Sequence, residues 1–397
     1  MAVTAFLPED APAPSASETF PTASICHCSA LLRALGGRVV FMQSVPLVKY
    51  GFRPLLVAPH GREGEMSRVR LIPTPPRSNR ALRILSAPFL LSRVLRQEAD
   101  LYQIHDPELL PVGLLLKLVF RKKVVYDSCE DYPLMILTRT WIPQCLRMLL
   151  RRWVCVLEQL ATRCLDGVVT ADSATLRRLA KTGQSKKLVF YNFPNLECFP
   201  EPARGPKPFD VVYRGGLSER AGTEVLLGAL RLLADQGRTV RLLLIGYFDN
   251  PRAEALLRHR IQNLGLESTI ELRGWVEHQE MAKILQLAQI GVCPLRPIPK
   301  FLHNIPVKVW EYWACGLPVV ASDLPPIRPF FSQGKCGFRV KPDDPVALAA
   351  AIRWLLEHPA EAAQMGAAGR RIVTERLNNG REIPKLVRFY RRILEQP

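Results

Sequence analysis

Residues 303–323 read HNIPVKVWEYWACGLPVVASD. Val307 through Trp313 has the pattern of a short helix, and Leu317 to Ala321 that of the strand after it. Lys308 and Glu311 are three apart and so share one helix face just before that strand. A carboxylate there can accept both hydroxyls of a ribose, and an ammonium can pair with a diphosphate. The plainer alternative for the same pair is an i,i+3 salt bridge.

Working outward, short β-rich runs alternate with amphipathic segments from Phe209 onward. FDVVYR precedes a helix from Thr223, and VRLLLIG precedes a helix ending near Leu264. TIELRG follows, then a helix over Glu277 to Ala288, then IGVCPL. After the quoted stretch come GFRV and further helices. Strands alternating with helices at this spacing imply a parallel sheet covered on both faces, a Rossmann-like domain.

The N-terminal half follows the same grammar. ASICHCSA, RPLLVAPH, LYQIH, KVVYDSCE, LDGVVTAD and KLVFYN read as strands, with helices over Arg38 to Tyr50, over Ala81 to Gln97, from Pro111, and from about Gln144 to Leu165. Between the halves, NFPNLECFPEPARGPKP has five prolines and no periodicity, which marks a linker. The expected fold class is α/β, with two Rossmann-like domains facing across a cleft at the carboxyl ends of their strands. The expected boundaries are a disordered leader over 1–22, an N-terminal domain over 23–200, a C-terminal domain over 207–376, and a C-terminal helix over 377–397 that crosses back.

The segment YRGGLSERAGTEVLLGAL joins a strand to a helix through a glycine-rich turn containing Gly215, Gly216 and Gly222. Glycines let backbone N–H groups approach a phosphate, and a helix N-terminus favours negative charge. A tight turn with no ligand explains the same glycines equally well.

The 397 residues carry a net charge of +18, spread along the chain and led by arginine. No zinc-finger, RNP or KH signature accompanies it, so anionic membrane and phosphorylated ligands fit better than nucleic acid. No apolar run is long enough to span a bilayer, because Leu109 to Phe120 is short and broken by Lys117. The first twenty residues lack the basic and apolar regions of a signal peptide. The ten cysteines show no CxxC pair and read as reduced core thiols.

Along the long helix, Leu146, Leu149, Leu150, Trp153, Leu157, Leu160, Ala161 and Cys164 form one apolar stripe, with Arg147, Arg151 and Arg152 off it. One reading packs the stripe in the core and leaves a solvated basic side. The other has these arginines, with Arg139, contacting anionic lipid head groups.

KVWEYWACGLPVVAS resembles the helix–strand signature of family-4 glycosyltransferases of the GT-B fold. LYQIHDPELLPVGLLLK, KKVVYDSCEDYP and FYNFPNLE resemble segments of a bacterial polysaccharide-biosynthesis branch of that family. The resemblance runs from about Ser24 onward. It implies metal-independent, retaining transfer of a sugar from a nucleotide-sugar donor to a glycan or lipid-linked acceptor hydroxyl, with no cofactor. It also implies a cytoplasmic enzyme of the cell envelope, peripheral at the inner face of the membrane.

The resemblance implies donor contacts from Arg214, Gly215, Gly216, Arg220, His303, Asn304, Lys308 and Glu311, with Glu311 on the ribose. His105 and Glu130 are the expected catalytic-site residues, assigned to positioning donor sugar or acceptor. Asp106, Glu108 and Asp127 are expected on the acceptor side. Several slots depart from the family pattern. His303 stands where many members carry glutamate, Gly216 and Ala221 where they carry arginine and lysine, and Cys129 where the branch has histidine. A catalytically silent GT-B partner of another transferase is therefore the alternative. A dehydrogenase is disfavoured by the lack of a GxGxxG turn after the first strand.

Overall fold

The computed structural model describes residues 23–30, 37–59, 63–75, 87–138, 142–179, 186–202, 205–248 and 250–395. The expected leader over 1–22 and Arg139 lie outside these. The chain divides into two compact units, one running Phe193–Asn378 and the other ending at Asn192 and resuming at Asn379.

The N-terminal unit is built on strands β1 (Ser24–Cys28), β2 (Arg53–Pro59), β3 (Gly64–Met66), β4 (Val69–Thr74), β5 (Leu101–Ile104), β6 (Lys123–Ser128), β7 (Gly167–Thr170) and β8 (Lys187–Val189). Their order is β3-β4-β2-β1-β5-β6-β7-β8, and all neighbours are parallel except the β3–β4 hairpin. Ile25, Leu56, Val57, Val124 and Val125 are buried, as strands covered on both faces require. The chain reverses direction across the sheet at β1, so the switch point lies between β1 and β5.

The β3–β4 hairpin and the parallel pairing of β4 on β2 are absent from the sequence reading. The turn residues Ser67 and Arg68 have φ of 50° and 65°, a conformation normally signalled by Asn-Gly or Asp-Gly. The expected helix over Arg38 to Tyr50 is instead a π-turn segment, Arg38–Ser44, followed by helix Val45–Val48. Pro46 has no N–H to give the Met42 carbonyl four residues back, and that carbonyl accepts Asn379 Nδ2 at 2.7 Å. Of the helix expected over Ala81 to Gln97, Ala87–Leu95 is present and 81–86 lie outside the described residues.

Helix Asn379–Leu394 belongs to this unit, with Leu386, Val387, Phe389, Tyr390 and Ile393 buried. Gly167 of β7 admits it, since a Cβ there would sit 2.5 Å from Phe389 Cζ.

The long helix is Gln144–Cys164, but most of its apolar stripe faces away from the core, with Leu157 and Ala161 the members that pack there. Leu146, Leu149, Trp153, Val156 and Leu160 are exposed, whereas Glu158, Ala161 and Thr162 are buried. Glu158 is held inside by Arg178 Nη1 at 2.6 Å and Tyr126 OH at 2.8 Å. Arg147 is partly buried and donates to the Ile142 carbonyl at 2.9 Å, and Arg151 also lies toward the packed side. Arg152 is exposed. Five cysteines are buried, but Cys145 and Cys164 on this helix are exposed, so the cysteines are not uniformly core thiols.

The C-terminal unit carries β9 (Phe209–Gly216), β10 (Leu242–Tyr247), β11 (Ile270–Arg273), β12 (Ala288–Cys293), β13 (Val319–Ser322) and β14 (Gly337–Val340), ordered β11-β10-β9-β12-β13-β14 and parallel throughout. Helices Thr223–Asp235, Pro251–Asn263, Val307–Ala314, Pro345–Glu357 and Pro359–Glu375 accompany it. The helix expected over Glu277 to Ala288 is shorter. It comprises a 3₁₀ turn, His278–Glu280, and Met281–Leu285, because Ala288 already pairs with Phe209 in the sheet. The switch point of this sheet falls between β9 and β12, at the end of which Gly215 and Gly216 stand.

Candidate functional site

In the C-terminal unit, the quoted helix brings its two charged residues to the end of β9. Glu311 is 1% exposed, and its Oε2 lies 3.0 Å from Arg214 Nη1. Lys308 Nζ sits 4.1 Å from the centroid of the Tyr213 ring, a cation–π contact. The plain Lys308–Glu311 salt bridge is not what forms: the carboxylate takes Arg214 and the ammonium goes to the aromatic ring.

Two glycines of the turn are required, Gly215 by its backbone angle and Gly222 by packing as well. Gly215 has φ +145°, and a Cβ there would lie 2.8 Å from Lys308 Nζ. Gly222 has φ +80°, and its Cβ would lie 1.7 Å from the Pro294 carbonyl oxygen. Gly216 differs, because the nearest atom to its Cβ would be Tyr247 Oη at 3.7 Å, an ordinary contact. Arg220 is half-buried in the turn Glu219–Ala221, and its carbonyl accepts Arg296 N–H at 3.4 Å. Arg296 also pairs with Glu219 and Asp343, fastening the turn to the loop after β12.

Two tyrosines that sequence reading passed over set this geometry. Tyr213 donates to the Gly216 carbonyl at 2.8 Å, and Tyr312 Oη accepts the Arg214 N–H at 2.8 Å while donating to the Val292 carbonyl at 3.3 Å. Burial pushes the Tyr213 hydroxyl up, and Lys308 opposes it. His278 was missed as well: burial lowers its pKa, Glu311 works against that, and Arg214 adds to it. Asn304 Oδ1 is buried with no hydrogen-bond partner, whereas His303 is exposed. An unpaired buried acceptor is costly unless a donor arrives to meet it.

In the N-terminal unit, the expected polar residues gather at the ends of β5 and β6, but enclosed ones predominate. His105 is 2% exposed, with Nδ1 3.3 Å from Asp127 Oδ2 and Nε2 3.0 Å from His27 Nδ1. If Nδ1–H of His105 donates to the carboxylate, Nε2 accepts from His27, whose own Nε2 is then the bare, buried atom observed. Burial, with His105 alongside, holds the His27 pKa well below its ordinary value.

Asp127 is fully enclosed. Arg38 Nη2 approaches its Oδ1 at 2.6 Å, and Gln43, Gln103 and Arg38 Nε donate to Oδ2 at 2.8, 3.1 and 3.2 Å. Burial alone would raise its pKa, but Arg38 and His105 overcome this and hold the carboxyl well below its usual range. An acid so occupied presents no lone pair to an acceptor, so the acceptor-side expectation for Asp127 gives way to a structural ion pair. Asp106 is similarly engaged, accepting Ser29 Oγ and the Ala30 N–H at 2.7 Å each. Glu108 and Glu130 are partly exposed. Arg38, the residue on which this cluster turns, carried no signal in the sequence beyond following two glycines.

His105 Nδ1, a carboxylate oxygen of Asp127 and Cys129 Sγ lie within 4.8 Å of one another, a grouping that suggests a cation site. The surrounding charges do not suit one. Arg38 already neutralises the carboxylate, and burial pushes the Cys129 thiol well up, away from the thiolate a metal needs.

Residues 208–358 match the family model described as Glycosyl transferases group 1. The amylovoran biosynthesis glycosyltransferase AmsK of Erwinia amylovora is 30% identical over 173 residues, which cover 43% of this chain and 42% of AmsK. A glycogen synthase of Mycobacterium tuberculosis is 26% identical over 232 residues, 57% of this chain and 54% of that protein. The chain thus spans about two fifths to half the length of these relatives.

Among solved structures, sucrose-phosphate synthase from Thermosynechococcus elongatus superposes with a TM-score of 0.76 at 20% identity, covering 94% of this chain and 99% of that one. Anabaena HepE, in complex with UDP and glucose, gives 0.70 at 17% identity over 93% and 99%. At such identities the likeness is one of fold. The chain accordingly has the two-sheet α/β fold of the GT-B glycosyltransferases, and its residues 208–358 are similar to the group 1 glycosyl transferases.

Proposed function

We propose that this protein transfers a sugar from a nucleotide-sugar donor to an acceptor hydroxyl, with retention of configuration and without a metal ion. The acceptor is a glycan or a lipid-linked saccharide, met at the inner face of the cytoplasmic membrane. The observation that carries the reading is the arrangement at the end of β9, where buried Glu311, Arg214, Lys308 and the Gly215 backbone converge. Glu311 accepts the ribose hydroxyls. As the bond between sugar and phosphate breaks, negative charge grows on the departing diphosphate, and Lys308, Arg214 and Arg220 with the N–H groups of the turn lower the barrier. The unpaired Asn304 Oδ1 receives a donor from the bound ligand.

In the N-terminal unit, the partly exposed Glu130 and Glu108 are the carboxylates assigned to the sugar substrates. His105 acts through the Arg38–Asp127–His27 network, which fixes the end of β5. The solved HepE complex with UDP-glucose makes that donor the first to try, and the name of AmsK, an amylovoran biosynthesis glycosyltransferase, points to a polysaccharide-type acceptor.

Calorimetric titration with UDP, GDP, ADP and CMP, in the presence and absence of EDTA, tests the reading. One nucleotide binds, with the same Kd in EDTA. Binding that needs magnesium or manganese would overturn metal-independence, and no binding of any nucleotide by folded protein would overturn the donor assignment. Binding with no turnover of the corresponding nucleotide-sugar, alone or with acceptor lipid extracts, would favour the silent-partner alternative.

A further inference from the structure

Transfer at a bilayer, as proposed, requires a surface that holds the protein there. We infer that the solvent-facing side of helix Gln144–Cys164, continued by Leu118, Val119 and Phe120, is a membrane-docking face that seats its apolar side chains at the acyl boundary of an anionic leaflet. The inference rests on the glycosyltransferase reading for its location and on the following geometry for its substance.

The helix has 21 residues, about 31 Å at 1.5 Å each, and its amphipathicity is inverted. Its charged Glu158 and hydroxylic Thr162 point inward, and Trp153 and Leu149, at 65% and 63% exposure, point out. Leu146, Val156 and Leu160 complete the outward strip at helical spacing. Beside the helix end, Lys117 Nζ pairs with Asp166 at 2.6 Å, which brings the exposed Leu118, Val119 and Phe120 next to it. An apolar surface of this extent on a folded unit is a docking site rather than scattered exposure.

The charges decide what docks. Arg152 and Arg163, about three turns apart on the helix, lie along one edge of the strip, and exposed Arg121 with Lys122 borders Phe120. Neither 115–123 nor the helix offers an acid in return, because Glu158, the single acidic residue in these stretches, is buried against Arg178. A second copy docking through the same face would set arginine against arginine, whereas an anionic leaflet supplies the counter-charge. No helix among the described residues is long and apolar enough to cross a membrane, so this one lies in the interface plane, where an exposed Trp is at home.

Co-sedimentation of the full chain with phosphatidylcholine vesicles, with and without phosphatidylglycerol, tests this. The protein binds the anionic vesicles at low salt. It stays partly bound at 0.5 M salt, because screening weakens the arginines but not the seated apolar groups. Leu149→Glu with Trp153→Glu lowers the vesicle partition at least tenfold at both salts. Arg152→Gln with Arg163→Gln lowers it severalfold at low salt alone. The blue shift of tryptophan fluorescence on vesicles disappears in Trp153→Phe.

Titration of the same variants with UDP, GDP, ADP and CMP, beside circular dichroism to show that they are folded, separates the two readings. Intact nucleotide binding with wild-type protein left in the supernatant overturns the docking face alone. Vesicle binding without nucleotide binding overturns the donor assignment instead. Reversible dimerisation that the double Glu variant abolishes, with no vesicle binding, assigns the face to a second copy and also overturns the inference.

Discussion

Arg214 Nη1 lies 3.0 Å from Glu311 Oε2, so the carboxylate assigned to the ribose sits beside a guanidinium from the end of β9 while this buried oxygen has no hydrogen-bond partner. The hydroxyls of a nucleotide therefore meet an acceptor oxygen that still lacks a donor. Glu311→Ala is expected to weaken binding of the cognate nucleoside diphosphate by about 1–3 kcal/mol, the loss of charge-assisted hydrogen bonds. Calorimetric titration measures it, and an unchanged Kd in a folded variant removes Glu311 from the donor site.

The glycine turn separates into positions that packing demands and one that it does not. Gly222→Ala puts a Cβ against the Pro294 backbone at a left-handed φ and is expected to cost at least about 2 kcal/mol of stability. Gly216→Ala meets open space and ordinary contacts, and is expected to change stability by less than about 0.5 kcal/mol. Thermal denaturation of the two variants in parallel decides, and equal losses would mean that the turn is not held as described.

Asp127→Ala leaves Arg38, a buried cation, without its carboxylate. A loss of about 3–5 kcal/mol is expected, because the uncompensated charge remains inside. Urea denaturation followed by circular dichroism reads this out. A variant of wild-type stability with impaired acceptor use would return Asp127 to the ligand-binding role expected from sequence.

Through its buried histidines, acidification should destabilise the protein well before Asp127 titrates, against the opposing effect of the raised, buried carboxyls of Asp106, Glu158 and Glu382. His27 and His278 have folded-state pKa values below the ordinary 6.5, so between those values the native chain binds fewer protons than the unfolded one. Their contribution is fully present above pH 6.5 and is lost as pH falls, by up to about 1.4 kcal/mol per pH unit for each group. Asp127 has the depressed pKa of an ion-paired acid, and its contribution is lost only below pH 3.8. Tm is expected to drop between pH 8 and pH 5, with a shallower slope in His27→Gln. Parallel slopes would show that His27 is not held neutral.

The strand–helix alternation was legible because a strand buried on both faces reads as an unbroken apolar run, as in Val124–Val125 or Leu242–Ile245. The Lys308–Glu311 face was legible because helical spacing is fixed. Less readable was the partner each residue would choose, since Arg214 and Tyr213 reach the helix from the sheet rather than along the chain. Arg38 and Asp127 are likewise 89 positions apart. The Ser67-Arg68 turn carried no glycine to announce it. For the long helix, periodicity showed that a stripe exists but could not say which side faces the core, and burial of the Glu158–Arg178 pair turned it outward.

The fastening of helix Asn379–Leu394 also bears on the order in which the chain can mature. Glu382 Oε2 accepts the N–H of Tyr191, 191 positions away, and Tyr390 bonds Gln103 in the interior of the N-terminal unit. During synthesis, a nascent chain that has emerged as far as residue 192 therefore lacks the cover for Gly167 and the Tyr390 hydroxyl that bonds Gln103. The C-terminal unit, being continuous from Phe193 to Asn378, can close on the ribosome while the earlier-made unit is still open. The half of the protein made first is the half completed last.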